Sequence, residues 1–180
     1  VSYSRAQWIA ASRAITTALL EGTDEDDALQ LIARQMRRVS KADAALIVLP
    51  SVGDTWACEI CDGECASDLI GVEFPPEGRA QTVIREGTGL EVDAMTRQKN
   101  LLVPELARFG AALYAPMMAK GTPEGVIVLL RDIGKPEFDL ADLSMAENVS
   151  RQAALALELA GARLTQAKAA QLEDRAQISR

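Results

Sequence analysis

Residues 111–132, AALYAPMMAKGTPEGVIVLLRD, decide the fold because they hold two apolar runs separated by a short stretch that is rich in turn residues. Both runs have the length of a strand, and glycine, threonine and proline lie between them. This pattern predicts a β-hairpin whose turn covers Gly121–Gly125. Since hairpin strands are antiparallel, the sequence predicts a sheet that is mostly antiparallel.

Shorter strands are predicted before the hairpin, at residues 44–50, 55–61 and 90–92. The first is a continuous apolar run that ends at a proline, which is typical of a buried central strand. The second alternates, and a regular strand would place Trp56, Cys58 and Ile60 on one side. Residues 64–78 are rich in glycine and proline and are predicted to form a loop.

Two helices are predicted in the N-terminal part of the chain. In the first, over residues 5–20, Trp8, Ile15 and Leu19 share one face at helical spacing, and Gly22 ends the helix. The second helix follows directly, and its apolar stripe is expected at Leu29, Ile32, Met36 and Val39.

Pairs of polar residues mark two helix starts. Thr23 and Asp26 resemble a capping box at the start of the second helix. Asp139 is predicted to be the N-cap of the final helix, with Asp142 in its first turn. Nothing interrupts the helical pattern from about residue 140 to residue 180.

The order of these elements predicts the fold class. Helices bracket the strands in sequence, which indicates an α+β domain with a central antiparallel sheet and with N- and C-terminal helices packed on one face. The 180 residues fit one domain, and the hydrophobic fraction of 48% is ordinary for a globular protein.

Charge and hydropathy exclude several classes of function. The formal net charge of −7 repels nucleic-acid phosphates and anionic membrane surfaces. No apolar run approaches the roughly 20 residues of a spanning helix, and the first residues lack the pattern of a signal peptide. We therefore expect a cytoplasmic chain with no nucleic-acid or membrane partner. A first residue of Val and a last helix without a stop signal indicate a piece of a longer protein.

The ordered segments resemble the GAF domain family over about residues 24–160. The resemblance is carried by ADAALIVLP (42–50), CDGECASDLIGVEFPPEGRAQTVIREGTGLEV (61–92), FGAALYAPMMAKGTPEGVIVLLRD (109–132) and FDLADLSMAENVSRQAALALE (138–158). It implies a GAF (PAS-like) fold and a role as a small-molecule sensor or dimerisation module.

The last residues, LEDRAQISR (172–180), resemble the beginning of the dimerisation and phosphoacceptor helix of one histidine kinase class, through Glu173, Arg175, Ile178 and Arg180. With the GAF pattern, they are similar to the second of two tandem GAF domains in DevS/DosT-type sensor histidine kinases of actinobacteria. This resemblance implies a two-component oxygen or redox sensor as the parent protein. Haem would lie in an upstream GAF domain, ATP and magnesium in the kinase domain, and a response regulator would be a partner.

The same resemblance implies the domain boundaries and the function. Residues 1–22 would be an N-terminal linker or dimer helix, residues 23–162 the GAF domain, and residues 163–180 a helical connector toward the kinase dimerisation domain. The chain would not be an enzyme itself; as a homodimer it would relay the signal from the upstream GAF domain to the kinase core. Inter-domain and dimer contacts are expected at Trp8, Ile15, Leu19, Leu157, Leu164 and Ile178.

The residues predict no haem or catalytic site in this chain. The sequence has no histidine, which removes the usual haem ligand and the commonest general base. Tyr114, Met117 and Met118 could ligate haem, but core packing accounts for them. The signature of nucleotide-binding GAF domains is matched only at Phe138 and Asp142, which also suit a helix start. An independent sensor of a cyclic-nucleotide-like small molecule stays open as an alternative.

Cys58, Cys61 and Cys65 leave a metal site and a thiol redox switch open as alternatives. Their local spacing resembles that of metal ligands, but a structural zinc site requires four nitrogen or sulfur ligands. On a regular strand, Cys58 and Cys61 would also face opposite sides. A redox switch requires a lowered thiol pKa, which the acidic surroundings oppose. We therefore expect neither a metal nor a cofactor in this chain.

Overall fold

A computed structural model of the chain describes residues 2–64, 66–92 and 102–178. Six strands and five α-helices follow one another in these ranges. In chain order they are α1 (Ser2–Leu20), α2 (Glu25–Ser40), β1 (Ala44–Pro50), β2 (Trp56–Gly63), α3 (Ala66–Leu69), β3 (Glu73–Phe74), α4 (Arg79–Glu86), β4 (Leu90–Val92), β5 (Phe109–Ala119), β6 (Thr122–Asp132) and α5 (Leu140–Ile178). Single turns of 3-10 helix lie at Val52–Asp54 and Pro104–Leu106.

The strands form one antiparallel sheet in the order β3-β2-β1-β6-β5-β4. β1 and β6 lie at its centre, and their apolar runs at residues 44–48 and 125–130 are buried. A continuous apolar run suits these strands because both of their faces are covered. The predicted α+β class with an antiparallel sheet is confirmed.

The hairpin of β5 and β6 has a tighter turn than the sequence predicted. Ala119 pairs with Thr122, so only Lys120 and Gly121 form the loop. Their φ angles are 53° and 75°, and two consecutive positive values fit a type I′ turn, which matches the twist of the strands. The predicted turn over Gly121–Gly125 was therefore too long, because the residues after Gly121 already belong to β6.

Helices α1, α2 and α5 pack on one side of the sheet, here called the helical face. Trp8, Ile15 and Leu19 of α1 lie in its core and are at most 4% exposed. The predicted apolar stripe of α2 is also confirmed, with three members buried and the last half-buried: Leu29, Ile32, Met36 and Val39. The prediction that the terminal helices share one face of the sheet is thus correct.

Shorter elements cover the other side of the sheet, here called the pocket face. Leu69 of α3, Phe74 of β3, Val83 of α4 and Leu106 of a 3-10 turn form its core together with the sheet. The predicted loop at residues 64–78 was wrong in part, since it contains α3 and β3. β3 is ordered there because it pairs with the first residues of β2.

A β-bulge in β2 changes the direction in which its residues face. Ile60 and Cys58 pair with consecutive residues of β1, which leaves Glu59 without an opposite residue. Ile60 therefore contacts the core of the helical face, whereas Cys58 and Cys61 both lie in the core of the pocket face. Two predictions were wrong here: Ile60 does not face the same way as Trp56 and Cys58, and Cys58 and Cys61 do not face opposite ways. The extra residue of a bulge interrupts the period of two.

The start of α5 is a reciprocal cap, as the sequence predicted. The Asp142 N–H donates to Asp139 Oδ1 at 2.7 Å, and the Asp139 N–H donates to Asp142 Oδ2 at 3.2 Å. From this cap the helix continues without a break to Ile178. Across the described ranges, no helix combines the length and the apolar character that crossing a bilayer requires.

The start of α2 differs from the predicted capping box. Asp24 occupies the N-cap position, and the Thr23 hydroxyl instead donates to the Ala18 carbonyl oxygen at 2.6 Å. Gly22, with a φ of 88°, turns the chain back toward α1 and brings Thr23 to that carbonyl. Thr23 thus closes the preceding helix rather than opening the next one.

Candidate functional site

A cavity of about 210 Å³ lies on the pocket face, between β3, the start of α4, the second 3-10 turn and β5. Most of its wall is apolar, but three side chains bring polar groups to it: Glu77, Arg79 and Tyr114. The apolar part of the wall is formed by Phe74, Pro75, Ala80, Leu102, Val103 and Leu106. The volume is below the roughly 300–1,000 Å³ of sites for drug-sized ligands.

Arg79 is held at the cavity by the first turn of α4, of which it is the first residue. The Thr82 hydroxyl donates to the Gly78 carbonyl oxygen at 3.2 Å and closes this turn. The Gln81 amide donates to the Phe74 carbonyl oxygen at 3.3 Å and ties the turn to β3. These two hydrogen bonds fix the backbone around Arg79, whose side chain is half-buried.

Tyr114 of β5 is only 3% exposed, and its hydroxyl group and the Arg79 side chain lie near each other at the cavity wall. Burial raises the pKa of Tyr114 to about 12, although the charge of Arg79 acts to lower it. The hydroxyl is therefore protonated at neutral pH, and its own proton is available to a further acceptor. Among the described side chains, no carboxylate lies within salt-bridge distance of Arg79.

The wall of the cavity is in close contact with α5 through Gly89. A β-carbon at this position would lie 2.7 Å from Leu143 Cδ1, 2.9 Å from the Tyr114 carbonyl oxygen and 3.1 Å from Glu147 Cγ. The segment that leads into β4 thus lies between the backbone of Tyr114 and the first turns of α5.

Comparison with known sequences and structures shows which domain family has this architecture. Residues 24–157 match the sequence model of the GAF domain family. The chain belongs to the GAF domain family. GAF domains are in general regulatory and non-catalytic, which agrees with the expectation that this chain is not an enzyme.

Several solved GAF domains share the fold. The GAF-B domain of DevS from Mycobacterium smegmatis has 23% sequence identity and a TM-score of 0.68, over 79% of this chain and 99% of that one. The GAF domain of a phosphoenolpyruvate-protein phosphotransferase from Coxiella burnetii has 20% identity and a TM-score of 0.71, over 89% and 97%. The phycoerythrobilin-bound GAF domain of a cyanobacterial phytochrome has 15% identity and a TM-score of 0.72, over 87% and 97%. At identities this low, the structural similarity shows a common fold alone.

The cysteines of this GAF domain have the environment of core residues. Cys58 and Cys61 are buried thiols on the pocket face. Burial, together with the charges of Cys61 and Glu59, raises the pKa of Cys58 to about 12. A protonated, buried thiol is a poor nucleophile and a poor metal ligand. Cys65, the third residue of the predicted group, lies outside the described residues.

The side chains that could replace a haem-ligating histidine do not meet at one site. Tyr114 lines the cavity on the pocket face. Met117 is buried in the core of the helical face, on the other side of the sheet, and Met118 is half-buried. Core packing thus accounts for Met117, and Tyr114 faces an arginine rather than a second axial ligand.

Phe138 and Asp142, the two matches to the nucleotide-binding signature, lie at the start of α5 and not at the cavity. The guanidinium carbon of Arg131 is 4.0 Å from the centroid of the Phe138 ring, and Arg131 Nη2 is 3.9 Å from Asp142 Oδ2. Arg131 also donates to the Ser40 carbonyl oxygen at 2.5 Å. It therefore joins β6, the end of α2 and the start of α5, a role that the sequence reasoning had not assigned to it.

An acidic group at one end of the sheet was also missed from the sequence. Carboxylate oxygens of Asp43, Glu64 and Asp132 lie within 4.8 Å of one another. Lys135 pairs with Asp43, and the Asp132 N–H donates to Asp43 Oδ2 at 2.8 Å. Burial acts to raise the pKa of Asp43, but these hydrogen bonds and the charges of Lys135 and Arg131 hold it below its usual value. Distant segments meet here only through the pairing of β1 with β2 and β6.

The residues predicted to make inter-domain and dimer contacts lie on α1 and α5. Trp8, Ile15 and Leu19 are covered by α2 and α5 of the same chain, and Leu157 is half-buried against the same core. Leu164 and Ile178 belong to α5, but their side chains lie outside the described residues. The proposed contacts of these residues with other domains stay a prediction.

Exposed apolar side chains on the same helices offer a different contact surface. Leu155 and Leu159 are 48% and 52% exposed, one turn apart on α5, and Ile9 of α1 is 50% exposed. α1 and α5 run in the same direction, since Arg5 and Asp142 line one pocket and the Ser12 hydroxyl donates to the Gln152 side chain further along.

Proposed function

We propose that this GAF domain is a non-catalytic relay in the cytoplasm, within a haem-based sensor histidine kinase of a two-component system. It passes the state of an upstream haem-binding GAF domain to the kinase core. The observation that carries this proposal is α5, which begins against the sheet and continues far beyond the core. The fold shared with the DevS GAF-B domain supports this placement.

α5 is suited to carry a signal because its described side chains are packed against the core near its start and exposed near its end. The helix has 39 residues, which corresponds to about 58 Å at the rise of an α-helix. Ala154 is the last buried one of its described side chains, and all described side chains from Lys168 to Glu173 are exposed. A helix that is anchored at one end and exposed at the other transmits rotation or translation of its anchored end.

The anchored end has two attachments through which a change of conformation can act. Arg131 fixes the first turn of α5 to α2 and β6, and Gly89 brings β4 against the next turns. A neighbouring domain that displaces α1 or the sheet would shift the population of α5 packing arrangements. In this proposal the domain works as a homodimer, the parent holds haem, ATP and magnesium in other domains, and a response regulator receives the phosphoryl group.

The proposal is tested by changing the helical phase of α5 in the full-length sensor. One alanine inserted after Lys168 rotates the following residues by about 100°, whereas seven alanines nearly restore the phase. We expect the single insertion to uncouple autophosphorylation from the upstream ligand and the seven-residue insertion to restore much of the coupling. One alanine inserted after Val52, an exposed loop residue, is the matched control. Ligand control that survives every insertion would contradict the relay.

An independent small-molecule sensor is the second candidate function, and the cavity with Arg79 and Tyr114 favours it. In that case the cavity, rather than an upstream domain, supplies the signal to the same helix. A full-length protein whose upstream domain is deleted but whose output still responds to a ligand would favour this alternative. The buried, protonated thiol of Cys58 gives the redox switch no comparable support.

A further inference from the structure

We propose that the cavity on the pocket face binds a small monocarboxylate, through the guanidinium of Arg79 and the hydroxyl of Tyr114. The binding step rests on the cavity alone, and only its regulatory consequence rests on the relay proposed above. The ligand would have one carboxylate and a compact apolar body.

The first argument is the pair of donors at the wall. Arg79 presents a planar set of N–H donors that matches a carboxylate in a bidentate arrangement. Its one interaction among the described side chains is with the neutral hydroxyl of Tyr114, so no described protein carboxylate neutralises it. The Tyr114 hydroxyl lies near Arg79 at the cavity wall and carries its own proton, so it is a second donor at the same place. An anion placed there would receive hydrogen bonds from both side chains.

The second argument is charge, which favours a single carboxylate over a phosphate. Glu77 also lines the cavity and adds one negative charge there, although its carboxylate is not within salt-bridge distance of Arg79. A dianion would meet one guanidinium and one like charge, whereas a monoanion is matched by the guanidinium. Among the described residues that line the cavity, Arg79 is the one cation.

The third argument is the shape and lining of the remaining space. Phe74, Val103 and Leu106 are buried and form an apolar wall opposite the donors. The volume of about 210 Å³ is too small for a tetrapyrrole or a drug-sized ligand, whose sites take roughly 300–1,000 Å³. A short aliphatic or single-ring acid satisfies both the wall and the donors.

Binding would act on the output helix through the backbone of Tyr114. The Tyr114 carbonyl oxygen lies beside Gly89, and Gly89 lies beside Leu143 and Glu147 of α5. A carboxylate that draws Tyr114 toward Arg79 changes this contact. The relay would thus receive a metabolic input in addition to that from a neighbouring domain.

The test is titration of the 180-residue chain with sodium butyrate and sodium benzoate, with butyramide, benzamide and inorganic phosphate as comparison probes. Binding is measured by isothermal titration calorimetry and by the ¹⁵N resonance of the Arg79 side chain. We expect one of the acids to bind at least tenfold more tightly than its amide and to shift the Arg79 resonance. Arg79→Gln should weaken binding at least tenfold, and Tyr114→Phe by roughly two- to tenfold, as for one hydrogen bond.

Arg34→Gln is the matched control, because Arg34 is an exposed arginine on the helical side of the domain. It should leave binding unchanged, and unfolding curves of all variants show whether the fold is retained. Equal affinity for acid and amide, preference for phosphate, binding unaffected by Arg79→Gln, or no binding of either acid at millimolar concentration would overturn the proposal. These results do not depend on the insertions in α5, so the carboxylate site and the relay can fail separately.

Discussion

The helical face and the pocket face cover the same sheet but differ in what they leave free. On the helical face, three long helices bury side chains such as Ile32 and Met36, and an open groove of about 440 Å³ lies between α1 and α5. On the pocket face, short elements leave a cavity and bring the polar groups of Arg79 and Tyr114 into it. The long helices therefore provide most of the buried core, and the shorter elements leave a cavity whose wall carries charged and polar groups.

The largest expected difference between the two faces is in the free energy of unfolding that is lost when a core side chain is truncated. Ile32→Ala and Leu106→Ala remove the same number of carbon atoms from fully buried positions. Such truncations cost about 2–5 kcal/mol, and we expect Ile32→Ala near the upper end and Leu106→Ala near the lower end. Leu106 already borders a cavity and so has fewer neighbours to lose. Urea unfolding followed by circular dichroism measures both, and equal costs would show that the two faces are packed alike.

A smaller effect is expected at Gly89, where the two faces meet. Gly89→Ala places a β-carbon against Leu143 and the Tyr114 carbonyl oxygen and should destabilise the domain by about 1–3 kcal/mol, as overpacking does. Amide resonances of Leu143 and Tyr114 should shift together in this variant. The control is Gly161→Ala, where a β-carbon meets no atom within 4 Å and helix propensity should add up to about 1 kcal/mol of stability. Independent behaviour of the two resonances would separate α5 from the cavity.

Ser150 is a buried polar residue that weakens the helical face. Ser150 of α5 is fully buried, and its hydroxyl oxygen has no hydrogen-bond partner among the described residues. Ser150→Ala should therefore stabilise the domain by about 1 kcal/mol, because an unsatisfied buried hydroxyl costs free energy. Ser40→Ala is the control, since the Ser40 hydroxyl donates to the Arg37 carbonyl oxygen and its loss should destabilise. Thermal unfolding measures both, and destabilisation by Ser150→Ala would point to a hydrogen bond of this hydroxyl in solution.

The smallest effect on stability is expected at Asp43, which belongs to the acidic group at one end of the sheet. The pKa of Asp43 is lowered in the folded domain by Lys135, Asp132 and Arg131. Its ionised form therefore stabilises the fold at pH values above the usual Asp pKa of about 3.9, and this contribution is lost as the pH falls through the lower folded pKa. The stability difference between wild type and Asp43→Asn should be constant near neutral pH and should shrink in acid. A difference that grows in acid would contradict the sign.

Sequence reasoning was most successful where one element decides the outcome. The stripes of α1 and α2, the cap of Asp139 and Asp142, and the hairpin all follow from spacing within one segment. It failed where pairing between segments decides: the bulge at Glu59 turned Cys58 and Cys61 to one side. No local pattern shows a bulge, because it arises from the register with a neighbouring strand.

At the candidate site, too, local structure could be predicted from the sequence, whereas the contact between distant segments could not. Gly78 and Arg79 could be recognised as the start of a short helix, but nothing in the sequence connects Arg79 with Tyr114. The two side chains meet because α4 packs on the pocket face of the sheet, and the Tyr114 side chain of β5 lies on that same face. Arg131 likewise acquired its role only when α2, β6 and α5 met around it.

The sequence by itself determined the antiparallel hairpin, the amphipathic helices and the long unbroken α5, because periodicity and caps act over a few neighbouring residues. Only the tertiary structure decided where the cavity lies, which face the cysteines occupy, and how the cavity wall reaches α5 through Gly89. These features depend on strand register and on contacts between segments far apart in the chain. Local free-energy preferences cannot specify such contacts until the sheet has brought the segments together.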